Sequence, residues 1–594
     1  YFLNPVLKIA MFFYIIQILS LTSIAVSASN STCKSTPDFK DWPSDAEWAQ
    51  LNRTLSGRLL KPSPPGAVCH ADQSTFDTEA CFVVQAGWNT TIWHTNNPVS
   101  SVLNNVNNDT CLPEPTDPCS GEGYPIYFVN ATCADDVKKG VDFARVNNIR
   151  LIVKATGHDY MGRSSAPKAL SIWTHHIKNI SFQDGFIPKE CNFSDPIEGA
   201  AITIGAGEQM LNIDQPAHLR NLTIVSGGGG TVGPGGYLTG AGHAALSSTY
   251  GLGADQVLEM EIVTPGGDII TINECQHTEL FWAMRGGGGS TFGVITSVTI
   301  KAFPSFTFLA ATVFLGIKIG TDTYFDVATS ILGQFPALGD QGMTAYSQLV
   351  YNYTSAKLNI TTPVDGFTGT FLLPALHPEN TTESLTATLQ KVLDDVTAPY
   401  PNQFMSSVSS QSFPDFYTWY LPHNGPNNGG FDAQTGSRLL DGKALTNTSG
   451  LKDALKLLIP AQSPLQIYLV SGKGVHNAQP RGGGNAVNPA WRMAYVHCVV
   501  GAEWAPFDLA EKAKQEDLLT NTYVEALRKL APDTGAYVNE ADVNEPNFQQ
   551  AFWGDNYPRL LSIKKAVDPG DVLWCHPCVG NEGWKVIDDV LCRV

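Results

Sequence analysis

The chain has 594 residues, 43% hydrophobic and 10% aromatic, a composition that folds and a length that divides into two packed domains plus extensions. A net charge of −18 leaves no basic surface to neutralise phosphates, which excludes nucleic acid and anionic membranes as partners. Charged residues make up only 15%, against a usual ~25%.

Taken in chain order, residues 1–28 read as a secretory signal. Lys8 precedes an apolar run from Met11 toward Val26, and Val26-Ser27-Ala28 suits cleavage. The run is shorter than the ~20 residues that span a bilayer and is broken by Gln17, Ser20 and Thr22, so a cleaved signal, with no membrane contact afterwards, is expected over an anchor. Residues 29–120 form an irregular extension rich in Pro, Asn and Cys. Six of the twelve cysteines fall between Cys33 and Cys133, and twelve N-x-S/T sequons run from Asn30 to Asn447. Both features predict a disulfide-stapled, N-glycosylated chain in an oxidising compartment, with the pairing left open.

Regular α/β signals begin next. Val137, Val141, Phe143 and Ala144 predict a helix over 134–148, followed by a buried strand over 149–154. Strands are expected at 202–205 and 222–225, then a hairpin of 257–264 and 268–272 turning at Gly266-Gly267. A short helix over 279–285 is stopped by Gly286 to Gly289, and a strand over 293–302 leads to a boundary at Pro304. Beyond it, β-rich runs at 308–319, 345–351, 465–470 and 491–500 alternate with helices at 383–396 and 511–530. This predicts an antiparallel sheet with helices on one face.

Several motifs fall away on inspection. Gly205-Ala206-Gly207 lacks the third glycine and the later acidic residue of a dinucleotide fingerprint, so it reads as a tight turn after a strand. No phosphate loop ending in Gly-Lys-Ser/Thr and no Gly-x-Ser-x-Gly elbow occurs. Cys575-His576-Pro577-Cys578 has no second ligand pair, which favours a disulfide or unconnected thiols over a metal.

Four glycine-marked segments remain. The first, Lys154 to Ser165, follows the buried strand and holds Thr156, Gly157, His158, Asp159, Tyr160, Gly162, Arg163 and Ser164. Its glycines permit a turn whose N–H groups converge on a pyrophosphate. The second, Gly227 to His243, has too many glycines for a helix or strand interior and suits close approach of backbone to a flat ligand. It carries Thr231, Val232, Gly233, Gly236, Tyr237, Gly240, Gly242 and His243. The third, Tyr250 to Val257, includes Gly253 and Asp255. The fourth, Trp282 to Thr296, includes Gly293, Val294 and Ile295.

In this order and spacing the four segments resemble the FAD-binding domain of the vanillyl-alcohol oxidase superfamily, and more closely its berberine-bridge-enzyme-like branch and the fungal secreted members within it. Asp555-Asn556-Tyr557-Pro558-Arg559-Leu560, with Lys564 and Val567-Asp568-Pro569, resembles that branch's terminal flavin-contacting segment. The resemblance implies an α+β fold: a two-subdomain FAD-binding domain of PCMH type over 121–303, a substrate domain over 304–535, and a C-terminal segment, 536–594, returning to the first.

It also implies that His158 bonds to the 8-methyl carbon of the flavin, a link that raises the reduction potential. The second, cysteinyl link of many relatives would fall at Gly229, so attachment through His158 alone is expected. Val232 matches the oxidase pattern at the position controlling oxygen access, and Tyr237 replaces a histidine found near the flavin in some relatives. Asn556 and Tyr557 are expected at the flavin.

On the substrate side, strand alternation over 491–500 puts Trp491, Met493, Tyr495 and His497 on one face, and Tyr495 and His497 are the candidate catalytic bases. The expected activity is an FAD-dependent oxidase taking hydride from a small alcohol or an intermediate of alkaloid or polyketide assembly, with dioxygen as acceptor and hydrogen peroxide as product. A dehydrogenase with another acceptor, a carbohydrate oxidase and an inactive secreted glycoprotein stay open as alternatives.

Overall fold

The computed structural model describes residues 32–594, apart from 357, 359, 425–427 and 462–463. The expected signal segment and the sequons at Asn30 and Asn359 lie outside the described residues.

Three sheets carry the fold. In the first, strands Tyr127–Asn130, Leu170–Trp173 and Leu151–Lys154 run parallel in that spatial order, and Leu59–Leu60 adds antiparallel at the Tyr127 edge. Parallel strands need a crossover, and helix Ala134–Val146 carries the chain from Tyr127–Asn130 to Leu151–Lys154, the strands on either side of Leu170–Trp173. Its stripe Val137, Val141 and Ala144 buries against Val129, Leu151 and Ile172. Gly140 sits at the closest approach, where a Cβ would lie 3.2 Å from the Ile172 and Val129 side chains.

The second sheet is antiparallel: Ile180–Gln183, Ala200–Gly205, Val294–Pro304, Val257–Val263 and Ile269–Asn273, with Leu222–Thr223 on the end of the third of these. The hairpin expected at Gly266-Gly267 is present, Thr264 N donating to Asp268 O at 2.9 Å. After Ala200–Gly205 the chain makes the close turn expected there. A Cβ on Gly207 would meet the His175 and Thr174 carbonyl oxygens at 2.4 Å.

The third sheet has seven antiparallel strands, ordered Phe404–Phe413, Phe308–Lys318, Ile360–Pro374, Thr344–Ser355, Leu465–Leu469, Ala494–Trp504 and Asp432–Asp441. Alternation sorts its two faces. Leu309, Ala311, Val313, Leu315 and Ile317 face a layer that includes helices Thr323–Leu332, Thr382–Thr397, Thr448–Ala461 and Val524–Leu530. Phe308 and Ala310 point the other way and join the core of the second sheet, together with Trp553 and Leu560 of the C-terminal segment. The expected helix-covered antiparallel sheet is therefore found, and its uncovered face is turned toward the glycine-rich segments.

Three local expectations change. The extension is more regular than its composition suggests, with helices Asp45–Thr54, Thr78–Gly87 and Thr91–Asn96. The first is started by a Ser44/Glu47 capping box and buries Trp48 and Leu51, a signal too short to register as periodicity. The long helix over 511–530 is Leu509–Leu518 and Val524–Leu530 joined through a π turn. The strand expected from Trp491 starts only at Ala494, after a 3₁₀ turn over Pro489–Arg492.

Five disulfides form: Cys33–Cys592, Cys69–Cys81, Cys111–Cys119, Cys191–Cys275 and Cys575–Cys578. Cys133 and Cys498 are free thiols. The Cys-His-Pro-Cys motif thus closes on itself. Among the described residues no helix is long and apolar enough to cross a membrane.

Candidate functional site

A cavity of about 680 Å³ opens where the turn 155–164, the glycine run 227–243, the loop 289–295, the uncovered face of the seven-stranded sheet and the segment 537–540 meet. Thr156, Gly157, His158, Asp159, Tyr160, Arg163 and Ser164 line it from the first turn. Val232, Gly233, Gly236, Tyr237 and His243 line it from the glycine run, and Gly293, Val294 and Ile295 from the loop.

The turn is held from below. Lys154, fully buried at the end of its strand, donates its ammonium to the carbonyls of His94 and Asn97, and burial pushes its pKa down to about 7. Gly157 follows at φ +81°, a conformation that glycine adopts without strain. Arg163 Nε bonds both Asp159 oxygens, at 2.9 and 3.1 Å, and its Nη2 reaches Asn539 Oδ1 at 3.0 Å, fastening the turn to the C-terminal segment.

His158 projects from this turn into the cavity wall. Thr231 gives its single hydroxyl proton to Thr91 Oγ1 at 3.1 Å, so it accepts from His158 Nε2–H at 2.6 Å. Nδ1 is left as a lone pair without a hydrogen-bond partner among the described residues. Burial pushes the imidazole down to about 4, so the ring is neutral near pH 7. Thr231 therefore stands behind His158 rather than in the cavity.

The glycine run is shaped around one ring. Tyr237 is buried and its hydroxyl donates to Val225 O at 3.0 Å. A Cβ on Gly242, which has φ +79°, would lie 2.8 Å from that ring, and one on Gly253 would lie 2.5 Å from it. A Cβ on Gly240 would strike Asn539 Nδ2 at 2.2 Å. These three glycines make room for neighbours and do not face the cavity; nor does Gly162. By contrast, Gly235 and Gly236 line the cavity with no atom within 4 Å of an added Cβ.

The opposite wall is made of side chains that the sequence does not single out. Tyr346 and Tyr468 stand on the sheet with ring centroids 5.3 Å apart, and Tyr537, Asn539 and Glu540 come from the segment after the last sheet-covering helix. Glu540 Oε1 accepts from His243 Nε2 at 3.2 Å and Oε2 from His497 Nε2 at 2.9 Å. Burial raises the Glu540 carboxyl, but the two imidazoles outweigh it and hold the group well below the usual carboxylate range. His497 is itself fully buried, which lowers its pKa against the opposing pull of Glu540.

Four further candidates sit elsewhere. Tyr495 is the extra residue of a β-bulge: across the Asp432–Asp441 strand, Leu440 pairs with Val496 and Asp441 with Ala494. The bulge turns Tyr495 onto the helix-covered face, where its hydroxyl donates to Asp340 Oδ1 at 3.1 Å. The alternation that grouped it with His497 is broken there. Met493, grouped with them too, precedes the strand and is 54% exposed. Asp255 is bound by Arg492 at 2.7 Å. Asn556 donates to Val487 O at 3.0 Å, and the Tyr557 hydroxyl bonds Glu582, both in the packing of the C-terminal segment. Signals for the missed Tyr346, Tyr468 and Glu540 are weak, because the first two are single polar residues in strands expected on their β-rich character alone and the third lies in a loop with no motif.

Residues 125–273 match the FAD binding domain family, and residues 536–580 match the berberine and berberine-like family. An uncharacterized FAD-linked oxidoreductase of Arthroderma benhamiae is 36% identical over 94% of this chain and 96% of its own length. The VAO-type flavoprotein oxidase VAO615 of Thermothelomyces thermophilus is 30% identical over 96% of this chain and 98% of its own. The chain belongs to the vanillyl-alcohol oxidase superfamily, in its berberine-bridge-like branch. The crystal structure of the VAO-type flavoprotein MtVAO713 from Myceliophthora thermophila C1 superposes with a TM-score of 0.88 at 28% identity, covering 95% of this chain and 100% of that one. The two-domain α+β architecture is accordingly the PCMH type, and this family member is an FAD-linked oxidoreductase.

The cavity fits that cofactor. Arg163 Nη1, Ser164 Oγ and Tyr346 Oη are buried around it with no hydrogen-bond partner among the described residues, an expensive arrangement unless a polar ligand completes them. The glycines leave main chain, not side chains, on the face a flat ring system would approach.

Proposed function

We propose that this enzyme holds FAD covalently through His158 alone, takes hydride from a small organic alcohol of secondary metabolism, and passes the electrons to dioxygen with release of hydrogen peroxide. The observation that carries the reading is the state of His158: a neutral imidazole in the cavity wall, its Nε2–H fixed on Thr231 and its Nδ1 lone pair unengaged. A nitrogen so prepared is a nucleophile, which a protonated or doubly bonded ring is not. Gly229 also lines the cavity and offers no thiol for a second link.

Bound FAD supplies the redox chemistry, as hydride acceptor and electron donor to oxygen. The chain's own residues position and polarise. Thr156, Gly157, Arg163 and Ser164, with Gly233 and Gly236, present donors and open backbone to the pyrophosphate and ring. Tyr160, Val294 and Ile295 close the sides. Val232 at the cavity wall leaves room for oxygen, and the relative VAO615 carries the name of an oxidase. His497 acts through Glu540 and does not touch the substrate itself. Five disulfides, and the finding that none of the ten described sequon asparagines is buried, support a secreted, N-glycosylated protein.

The test is acid precipitation of the purified protein under air-saturated assay conditions matched by a peroxide readout. Yellow colour retained in the pellet and peroxide formed in step with alcohol consumption are expected. Colour released to the supernatant would overturn covalent attachment, and turnover with a dye but not with oxygen would replace the oxidase by a dehydrogenase.

A further inference from the structure

We propose that Glu540 receives the proton of a substrate hydroxyl, with His243 and His497 as positioning residues, and that the substrate is therefore an uncharged alcohol and not a carboxylate. The inference rests on the flavin reading above and deepens it.

Three segments far apart in the chain converge on this carboxylate: the end of the glycine run, the Ala494–Trp504 strand and the loop after Val524–Leu530. Each Glu540 oxygen takes one imidazole N–H, and each keeps a second lone pair. The Glu540 side chain is 23% exposed on the cavity side, against 10% for His243 and 0% for His497, so Glu540 is the member most open to a ligand. Nδ1 of both imidazoles is buried without a partner among the described residues. No competing bond therefore turns either ring away from Glu540, and the pair acts as two fixed donors that keep it ionised.

The surroundings fit a hydroxyl. The unpartnered Tyr346 Oη would lie 3.6 Å from a Cβ on Gly228, so it reaches the glycine run and stands ready to donate to the substrate oxygen. Tyr468 and Tyr537 flank the carboxylate, Tyr537 at 5.4 Å from the His243 ring. Charge argues against an acid. Among the described residues lining the cavity, Arg163 is the one guanidinium or ammonium, and it is engaged by Asp159, while Glu503 and Glu540 are further acids. An anionic substrate would enter an anionic chamber.

In the reaction the C–H electron pair leaves as hydride to FAD, which is reduced. The O–H proton goes to Glu540, and the O–H electron pair becomes the second carbon–oxygen bond of the carbonyl product. This half-reaction consumes nothing further, and the dioxygen of the proposed function takes the two electrons back from the flavin.

Benzyl alcohol and benzoate, matched in shape, separate the possibilities on FAD-loaded enzyme. Titration of the flavin spectrum is expected to show the alcohol bound at least about tenfold tighter than benzoate, with Glu540→Gln improving benzoate by at least about tenfold as the like charge is removed. Anaerobic bleaching of the flavin by benzyl alcohol should slow by about 10²–10⁴-fold in Glu540→Gln, the range for a lost acid–base group. His497→Leu should move the acid limb of the bleaching rate to higher pH, because Glu540 loses a donor that keeps it ionised, and His497→Gln, which restores an N–H, should move it back. Glu540→Asp, which preserves the charge, should keep the alcohol-over-benzoate order and guards against a folding failure of Glu540→Gln. A fully flavinylated Glu540→Gln that binds both ligands and bleaches like the wild type overturns the proposal, as does a wild type that prefers benzoate or responds to neither ligand. A wild type without flavin sinks the flavin reading instead, and the absorption spectrum tells the two failures apart.

Discussion

On one side of the cavity the wall is main chain, and on the other it is side chains. The turn 155–164 and the run 227–243 offer glycine backbone to the ligand, and their few functional side chains, His158 and Ser164 among them, come from within ten residues of a glycine cluster. The facing wall takes Tyr346, Tyr468 and Glu540 from three separate places, two on the antiparallel sheet and one after it, with His497 buried behind Glu540. On the function proposed above, a cofactor common to many enzymes meets a contiguous backbone device, and a substrate particular to one enzyme meets individually placed polar groups. Conserving the first while varying the second needs no change in the fold.

If that division is right, damage to the backbone wall should disable the cofactor and damage to the other should spare it. The largest effect expected is on His158→Ala: no flavin should survive denaturation, while noncovalent FAD still binds and yields a spectrum. The check is absorbance of the pellet against that of the native protein.

Next comes Gly242→Ala. It combines a positive φ with a methyl 2.8 Å from the Tyr237 ring, and should cost about 2–4 kcal/mol, read as a lowered midpoint in urea unfolding. A neutral result would mean that the run tolerates side chains and is not shaped by its glycines.

Beneath the same wall lies a pH signature. His94 bonds Ser100 Oγ and Trp88 O at 2.6 Å each, and burial lowers it from 6.5 to about 4. The unfolded chain therefore binds a proton that the folded one refuses. Stability from this group is fully present above pH 6.5 and is lost as pH falls from there through about 4, by up to about 3 kcal/mol. Unfolding midpoints measured from pH 7.5 to 4 should show a decline that His94→Gln flattens.

The smallest effect belongs to Tyr495→Phe, which should leave turnover within about twofold and stability within about 0.5 kcal/mol, since only a surface hydrogen bond to Asp340 is removed. A large loss of kcat would place Tyr495 in catalysis and break the comparison from the other side.

The same contrast explains what could be read from the chain alone. Glycine clusters after strands are local signals, so His158 and most of the cavity-lining residues of those segments were legible, as were the hairpin at Gly266-Gly267 and the helix-covered sheet. Asp255, Asn556 and Tyr557 lie in the right segments but serve packing, because a motif marks a neighbourhood and not the direction of each side chain. Tyr495 was misdirected by a single bulge, which a period-two pattern cannot register. Glu540 was invisible for a different reason: its meaning comes from two histidines 297 and 43 residues away, brought together only by folding.

The central claim is attachment of the cofactor at one imidazole, and tandem mass spectrometry of the tryptic peptide spanning residues 155–163 tests it most directly. The account predicts a flavin adduct on His158, bonded at Nδ1, and an unmodified peptide from the glycine run. An unmodified 155–163 peptide with free FAD recovered in the supernatant would contradict it.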